Sequence, residues 1–252
     1  MFHMLSRELI SFIISNLNGV DIIKFTKAFS KSFVDISLIK SFDFKSFTSN
    51  DSDICTIVDF LRKLPHIQSL NLCNNYFGRR IIVISKSIKE MHQLTTLNIS
   101  NINIMRKFNV NTLGTLFDSL PKTLKSLDFS GNLIGGSGVL RFASFSWGCL
   151  NTLNLSRNVI GNMALEAFID KKMFPQLTNL DLSINGISSP GIEYLKKIVE
   201  SSKLQLLNLE GNNLCAVDMY SLMPTIKKST FTSINLQNNF IPDSCLKLVG
   251  YI

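Results

Sequence analysis

The feature that most constrains the fold is a frame of eleven residues, Leu-x-x-Leu-x-Leu-x-x-Asn-x-Ile, that recurs along the chain. The copy that begins at Leu150 reads LNTLNLSRNVI. Further copies begin at Ile67, Leu94, Leu124, Leu177, Leu204 and Phe231, and a degraded copy begins at Ile39, so that successive starts lie 26 to 30 residues apart. A period of this length is typical of a solenoid, in which each repeat hides its apolar side chains only by stacking on its neighbours.

The first half of each repeat has the pattern of a β-strand. Leu153 and Leu155 are two residues apart, which directs both side chains to the same face of a strand. Strands that stack in parallel, one per repeat, bury that face as a continuous core. The intervening positions then form the opposite face of the sheet.

One asparagine holds a fixed place in this apolar frame. Asn158 follows the strand, where its amide can bond backbone groups that would otherwise be buried without partners. The same position is occupied by Asn75, Asn132, Asn185, Asn212 and Asn239. Phe47 and Ile102 interrupt this asparagine ladder, which predicts a less regular N-terminal end. Replacing Asn158 by leucine is expected to cost about 1–3 kcal/mol, because buried polar groups would be orphaned.

The second half of each repeat has helical periodicity. The segment IVISKSIKEM places Ile84, Ile88 and Met91 on one face, and GIEYLKKIV repeats this pattern. The frame and the helical segments together resemble the leucine-rich repeat family, in its ribonuclease-inhibitor-like subclass. The resemblance implies an α/β fold: a right-handed solenoid of about eight repeats over residues 39–252, with a parallel concave sheet and convex helices.

The strand positions between the leucines are expected to face the inner curve of this solenoid. They are short and polar in almost every repeat, which leaves two interpretations open: a structural ladder of Asx and Ser side chains, or a shallow groove for a peptide or loop. Leu206 and Glu210 depart from the polar pattern and favour the C-terminal repeats as the contact zone. The candidate binding residues on this face are Asn154, Asp181, Leu206, Asn208, Glu210 and Asn235.

Composition argues against several classes of function. The chain has 252 residues, of which 45% are hydrophobic, enough for one packed solenoid. Its five cysteines are widely spread and form no Cys-x-x-Cys pair, so no metal site or cofactor is indicated, and a reducing compartment is expected. No nucleophile–base set or phosphate loop indicates an enzyme. The net charge of +8 would attract acidic partners, but the paired lysines lack the aromatic pattern that favours nucleic acid.

Residues 1–38 precede the repeats, and residues 4–36 have the pattern of three short helices. One interpretation is a cap that covers the apolar end of the solenoid. The other is a resemblance to the F-box, which implies docking onto a Skp-type adaptor of a cullin ubiquitin ligase. Ser6 and Phe33 stand where that family usually has proline and tryptophan. The residues that match the F-box pattern, and would supply the adaptor contact, are Leu5, Glu8, Leu9, Ile13, Leu17, Ile22, Ile23 and Phe33.

The sequence therefore predicts a non-catalytic interaction protein, in the leading version an F-box substrate adaptor whose solenoid presents a substrate protein. The alternative is a plain binding module or a pathogen effector, since the segment LPKTLKSLDFSGN resembles repeats of some bacterial effectors. No apolar run is long enough to span a membrane, which favours a cytoplasmic location, in the host cytosol for an effector. The apolar C-terminal end leaves self-association open as a further possibility.

Overall fold

The computed structural model describes residues 40–46, 51–104, 110–170, 172–201, 203–229 and 231–246, together with Asp21. The predicted N-terminal helices, apart from Asp21, and the last six residues of the chain lie outside the described residues.

A single parallel sheet follows the repeat frame. Each strand begins two residues after the start of a copy of the frame, and the strands lie in the sheet in chain order. Leu127 pairs with Leu153, and Leu153 with Leu180, so the frame is in register from one strand to the next. The strands are β1 (Ser41–Asp43), β2 (Ser69–Asn71), β3 (Thr96–Asn98), β4 (Ser126–Asp128), β5 (Thr152–Asn154), β6 (Asn179–Asp181), β7 (Leu206–Asn208) and β8 (Ser233–Asn235).

Helical segments connect the strands. The α-helices are α1 (Asp51–Leu61), α2 (Ile81–Lys89), α3 (Val110–Ser119), α4 (Gly135–Ala143), α5 (Ile192–Ser201), α6 (Ala216–Lys228) and α7 (Asp243–Leu246). Short 3₁₀ turns, Gly78–Arg80 and Ser189–Gly191, lead into α2 and α5. The repeat that begins at Leu150 differs from the helical prediction, because its helical segment is only a 3₁₀ turn, Met163–Phe168. Asp170 ends this segment locally, since its carboxylate accepts the backbone N–H of Lys172 at 2.9 Å.

The core lies between the sheet and the helices. Leu150, Leu153 and Leu155 of one frame are all buried, as are Ile84 and Ile88 on the inner face of α2. Equivalent side chains of every repeat join them in one hydrophobic cluster that runs from Phe42 to Cys245. The fold is therefore the leucine-rich repeat α/β fold that the frame predicts.

The asparagine ladder joins neighbouring repeats through their backbones. The Asn158 amide nitrogen donates to the carbonyl oxygens of Phe129 at 2.9 Å and Leu155 at 3.0 Å, which belong to successive repeats. Its carbonyl oxygen accepts the backbone N–H of Asn132 at 3.1 Å. Asn185 and Asn212 repeat this arrangement. The predicted role of the ladder is confirmed, because each amide satisfies buried donors and acceptors of two repeats.

The predicted irregularity at the N-terminal end is wrong for the described strands. Ile102 interrupts the ladder, yet β2, β3 and β4 pair without any shift in register. The side-chain Oδ1 of Asn132, in the next repeat, accepts the backbone N–H of Ile102 at 3.0 Å. Asn75 donates to the carbonyl oxygen of Leu72 in its own repeat at 2.8 Å. The repeats on either side of the gap therefore retain these ladder bonds without an amide at position 102.

A left-handed backbone position recurs immediately before each ladder position. The residues there have φ between 51° and 67° and are Ser46, Asn74, Asn101, Gly131, Arg157, Ile184, Gly211 and Asn238. Glycine and asparagine adopt this conformation readily, whereas long or β-branched side chains are strained in it. Arg157 and Ile184 therefore carry strain that most other repeats avoid.

Replacing Arg157 by asparagine is expected to stabilise the protein by about 1 kcal/mol, because asparagine tolerates the left-handed conformation. Arg157 is exposed, so the change removes no core contact. Urea unfolding measures the effect. Arg79→Asn is the matched control, since Arg79 is also exposed but lies in a 3₁₀ turn. Equal effects of the two substitutions would contradict the strain at position 157.

Candidate functional site

One face of the sheet carries none of the described helices, and we call it the open face. It consists of the first and third residues of each strand and of the residue two positions after the strand. The third residue of each strand is Asp or Asn. Its side-chain oxygen Oδ1 accepts the backbone N–H of the residue two positions later at 2.7–3.1 Å. These bonds end each strand and turn the chain off the sheet. The repeated acidic or amide character of this position therefore has a structural cause.

Only some of these side chains bond across strands. The Asn71 amide donates to the Asp43 carboxylate at 3.1 Å, and the Asn208 amide donates to the Asp181 carboxylate at 2.9 Å. The structural ladder considered from the sequence is thus present mainly as bonds within each turn. Because the polar side chains of the open face make few hydrogen bonds to one another, they keep donors and acceptors that can bond to a ligand.

A depression of about 380 Å³ lies on the open face over β5 to β8. Four adjacent strands line it, so the face is concave here. Among the candidate residues, Asn154, Asp181, Leu206, Asn208 and Asn235 line the depression. Glu210 borders it, because its carboxylate accepts the Asn235 amide at 3.2 Å. The structure brings these six residues together, and their role in binding stays a prediction.

Three further polar residues line the same depression, namely Thr152, Asn179 and Ser233. They occupy the first position of their strands. The sequence placed them on this face, but no signal in the frame singled them out. Leu206, the first residue of β7, lies between Asn179 and Ser233 and is 41% exposed. It is the apolar exception in a row of polar residues.

The carboxylates at the depression are held by amides. Asp181 accepts the backbone N–H of Ser183 at 2.8 Å as well as the Asn208 amide. Glu210 accepts the amides of Asn235 and Asn238 at 3.2 and 2.9 Å. Within the described part of the chain, no lysine or arginine lies within ion-pair distance of Asp181 or Glu210. Both negative charges are therefore oriented, and no described lysine or arginine pairs with either of them.

The open face carries one cysteine, Cys73. Burial raises the pKa of the Cys73 thiol, and the Lys45 charge offsets this only in part, so the thiol is neutral at pH 7. The described residues contain no group of three or more side chains that could ligate a metal ion. Among the described helices, none combines the length and apolar character that crossing a bilayer requires.

The residues of the predicted adaptor contact lie outside the described residues. They are Leu5, Glu8, Leu9, Ile13, Leu17, Ile22, Ile23 and Phe33. The F-box resemblance therefore stays a prediction from the sequence.

Comparisons with known proteins agree with the repeat frame. Residues 121–143 and 149–168 match the family model described as Leucine Rich repeat. A solved structure, that of the leucine-rich repeat-containing protein LegL7 from Legionella pneumophila, superposes with a TM-score of 0.56. The match covers 79% of this chain and 64% of that chain at 19% identity, and it shows the fold. The prediction of leucine-rich repeats is confirmed, whereas the ribonuclease-inhibitor-like subclass stays a prediction.

Three curated proteins are similar to parts of the chain. CD180 antigen of Mus musculus is 28% identical over 215 residues, which cover 77% of this chain and 30% of that protein. Protein PAC2 of Saccharomyces cerevisiae is 33% identical over 134 residues, 53% of this chain and 24% of that protein. Tubulin-folding cofactor E of Arabidopsis thaliana is 28% identical over 165 residues, 64% of this chain and 28% of that protein. The matches thus span less than a third of each relative's length.

Proposed function

We propose that this protein is a non-catalytic binding module that holds a partner protein against the open face over β5 to β8. The observation that carries the proposal is the depression of about 380 Å³, which exposes Leu206 among oriented polar groups. Stacked repeats commonly present such extended faces for binding.

The chemistry of the depression suits a protein partner. An exposed leucine surrounded by polar groups gives the apolar centre and polar rim that protein interfaces have. Asp181 is already held in place by Asn208 and by its own turn, so little side-chain entropy is lost on binding. The amides of Asn154 and Asn179 add donors and acceptors that can pair with a partner's backbone.

Substitution of Leu206 by arginine tests the proposal. The exposed side chain can be replaced with a change of stability of about 0.5 kcal/mol or less, while the added bulk and charge block the depression. The tagged chain is expressed in cells of its source as wild type, as Leu206→Arg and as Lys197→Glu. Mass spectrometry then quantifies the proteins that each form retains. We expect at least one protein that wild type and Lys197→Glu retain and Leu206→Arg loses. If a partner is lost only by Lys197→Glu, binding occurs on the side of the sheet that carries the helices, and the proposal is contradicted.

A finer proposal adds the ubiquitin ligase. The N-terminal residues that match the F-box pattern would dock onto a Skp-type adaptor, and the open face would hold the substrate protein. Support comes from Leu5, Glu8, Leu9 and Ile13, which match the pattern in order ahead of the repeats. In the alternative, the same residues only cover the end of the solenoid, and the repeats act alone as a binding module.

Direct binding to a purified Skp-type adaptor separates these two proposals. The ligase proposal predicts a dissociation constant of about 1 µM or tighter for the full chain, which corresponds to roughly 8 kcal/mol. The double substitution Leu9→Asp and Ile13→Asp should abolish binding, whereas Lys197→Glu should not change it. Absence of binding by the wild-type chain at tenfold higher concentration would leave the plain binding module.

A further inference from the structure

The open face has the opposite charge to the molecule as a whole. The chain has a net charge of +8, whereas the described part of the open face carries four carboxylates and one ammonium group. The carboxylates belong to Asp43, Asp128, Asp181 and Glu210, and the ammonium belongs to Lys45. The described ion pairs join Arg62 to Asp59, Lys89 to Asp118 and Lys196 to Glu193, all in or between helices. The binding face is thus an acidic surface on a basic protein.

The depression combines this charge with one apolar contact. Asp181 is paired in register with Asn208, and Leu206 precedes Asn208 by two residues on β7. With a rise of about 3.3 Å per residue and about 4.8 Å between strands, Leu206 and Asp181 lie roughly 8 Å apart. In an extended segment, side chains two positions apart point the same way and are separated by about 7 Å. An extended ligand can therefore place neighbouring side chains of one face on both residues.

We propose that the depression over β5 to β8 binds an extended segment of a partner protein that carries an apolar residue and, two positions away, a lysine or arginine. The apolar side chain rests on Leu206, and the cation meets the Asp181 carboxylate. This inference rests on the proposed function and adds the class of partner that the open face binds.

Two observations support a cationic segment over other occupants. The Asp181 carboxylate is fixed by two hydrogen bonds and has no described cation beside it. Glu210 adds a second negative charge at the edge of the depression, where Asn235 and Asn238 hold it. A polyanion such as nucleic acid would be repelled by both charges. Charge complementarity of this kind sets partner choice and the rate of association.

Built-in isosteres allow a clean test. Asn stands at the position of Asp181 in five other strands, and Gln237 stands at the position of Glu210 in the next repeat. Asp181→Asn and Glu210→Gln therefore remove charge while keeping side chains that the frame accepts. The matched control is Glu166→Gln with Asp170→Asn, which removes the same charge from the helical side. Leu206→Ser removes the apolar contact and copies Ser233 of the next strand.

Selection from a random 12-residue peptide display library on the full chain is the experiment. We expect enriched peptides to share an apolar residue two positions from Lys or Arg. Their affinity, measured by fluorescence anisotropy, should fall at least tenfold for Asp181→Asn with Glu210→Gln. It should also fall for Leu206→Ser and at high salt, but not for the control.

Each contrary result has a distinct meaning. Peptides that need Leu206 but are neutral or acidic would overturn the charge inference and leave the proposed function standing. Peptides insensitive to every substitution on the open face, or no enrichment above an unrelated protein, would overturn both.

Discussion

Replacing Asn158 by leucine is expected to destabilise the protein by about 3 kcal/mol or more, because several buried backbone groups lose their partners at once. The side chain is fully buried. Its side-chain nitrogen donates hydrogen bonds to the backbone carbonyl oxygens of Phe129, Leu155 and Ser156. Its side-chain oxygen accepts a hydrogen bond from the backbone N–H of Asn132. The value lies at or above the upper end of the range expected from the sequence, since the structure shows bonds to two repeats. Urea unfolding followed by the fluorescence of the single tryptophan, Trp147, measures it.

Asn239 provides the matched control for this prediction. It holds the same place in the last described repeat, but it is only half-buried and its oxygen accepts the N–H of Leu214 at 3.1 Å. Asn239→Leu should therefore cost about half as much, because water can reach part of the site. A cost for Asn158→Leu below 1 kcal/mol, or equal costs at both positions, would contradict the proposed role of the ladder.

Truncation of Trp147 to alanine is expected to cost about 3–5 kcal/mol, as for other large buried aromatic residues. The indole is buried and stacks on Phe142 with ring centroids 4.4 Å apart. Its N–H donates to the backbone carbonyl of Phe142 at 3.0 Å, and the Trp147 backbone N–H donates to Met173 in the next repeat. Thermal unfolding followed by circular dichroism measures the loss, since the variant has no tryptophan.

Trp147→Phe is the control for this truncation. Phenylalanine keeps the stacked ring but loses the indole hydrogen bond, so a cost of about 1–2 kcal/mol is expected. The Lys122 ammonium lies 4.4 Å from the centroid of the Trp147 ring, and partial desolvation of this ammonium lowers the pKa of Lys122. Similar losses of stability for Trp147→Ala and Trp147→Phe would contradict the packing role.

The regular part of the fold could be predicted because the same frame of apolar residues and asparagine recurs in each repeat. The positions of Leu153 and Leu155 define strand and core, and the place of Asn158 defines the turn. An eight-stranded parallel sheet in register follows from stacking these frames. The backbone strain at Arg157 and Ile184 could not be read from the frame, because the frame specifies neither residue.

The candidate site was only partly visible in the sequence. Leu206 stood out because it is apolar where the other repeats are polar, and Glu210 stood out because it is long and charged where most other repeats have a short side chain. The depression could not be predicted, since it depends on the combined size of side chains from four strands. The hydrogen bonds that orient Glu210 could not be predicted either, because Asn235 and Asn238 lie 25 and 28 residues away along the chain.

The geometry of the open face depends on the stability of the repeats. The ladder and the leucines keep the strands in register, and this register brings Asp181 and Leu206 onto one concave surface. A loss of stability spread over the repeats would therefore weaken binding indirectly. The substitutions proposed on the open face are therefore at exposed or half-buried positions, where they leave the core intact.

Site-specific photo-crosslinking shows whether the open face contacts the partner protein. A photoreactive phenylalanine analogue is placed at position 206 on the open face, and at position 197 on α5 as the control. We expect the full chain, in cells of its source, to form a covalent adduct with one partner protein from position 206 and not from position 197. Adducts with that partner from position 197 alone would show that the helical side, and not the open face, holds it.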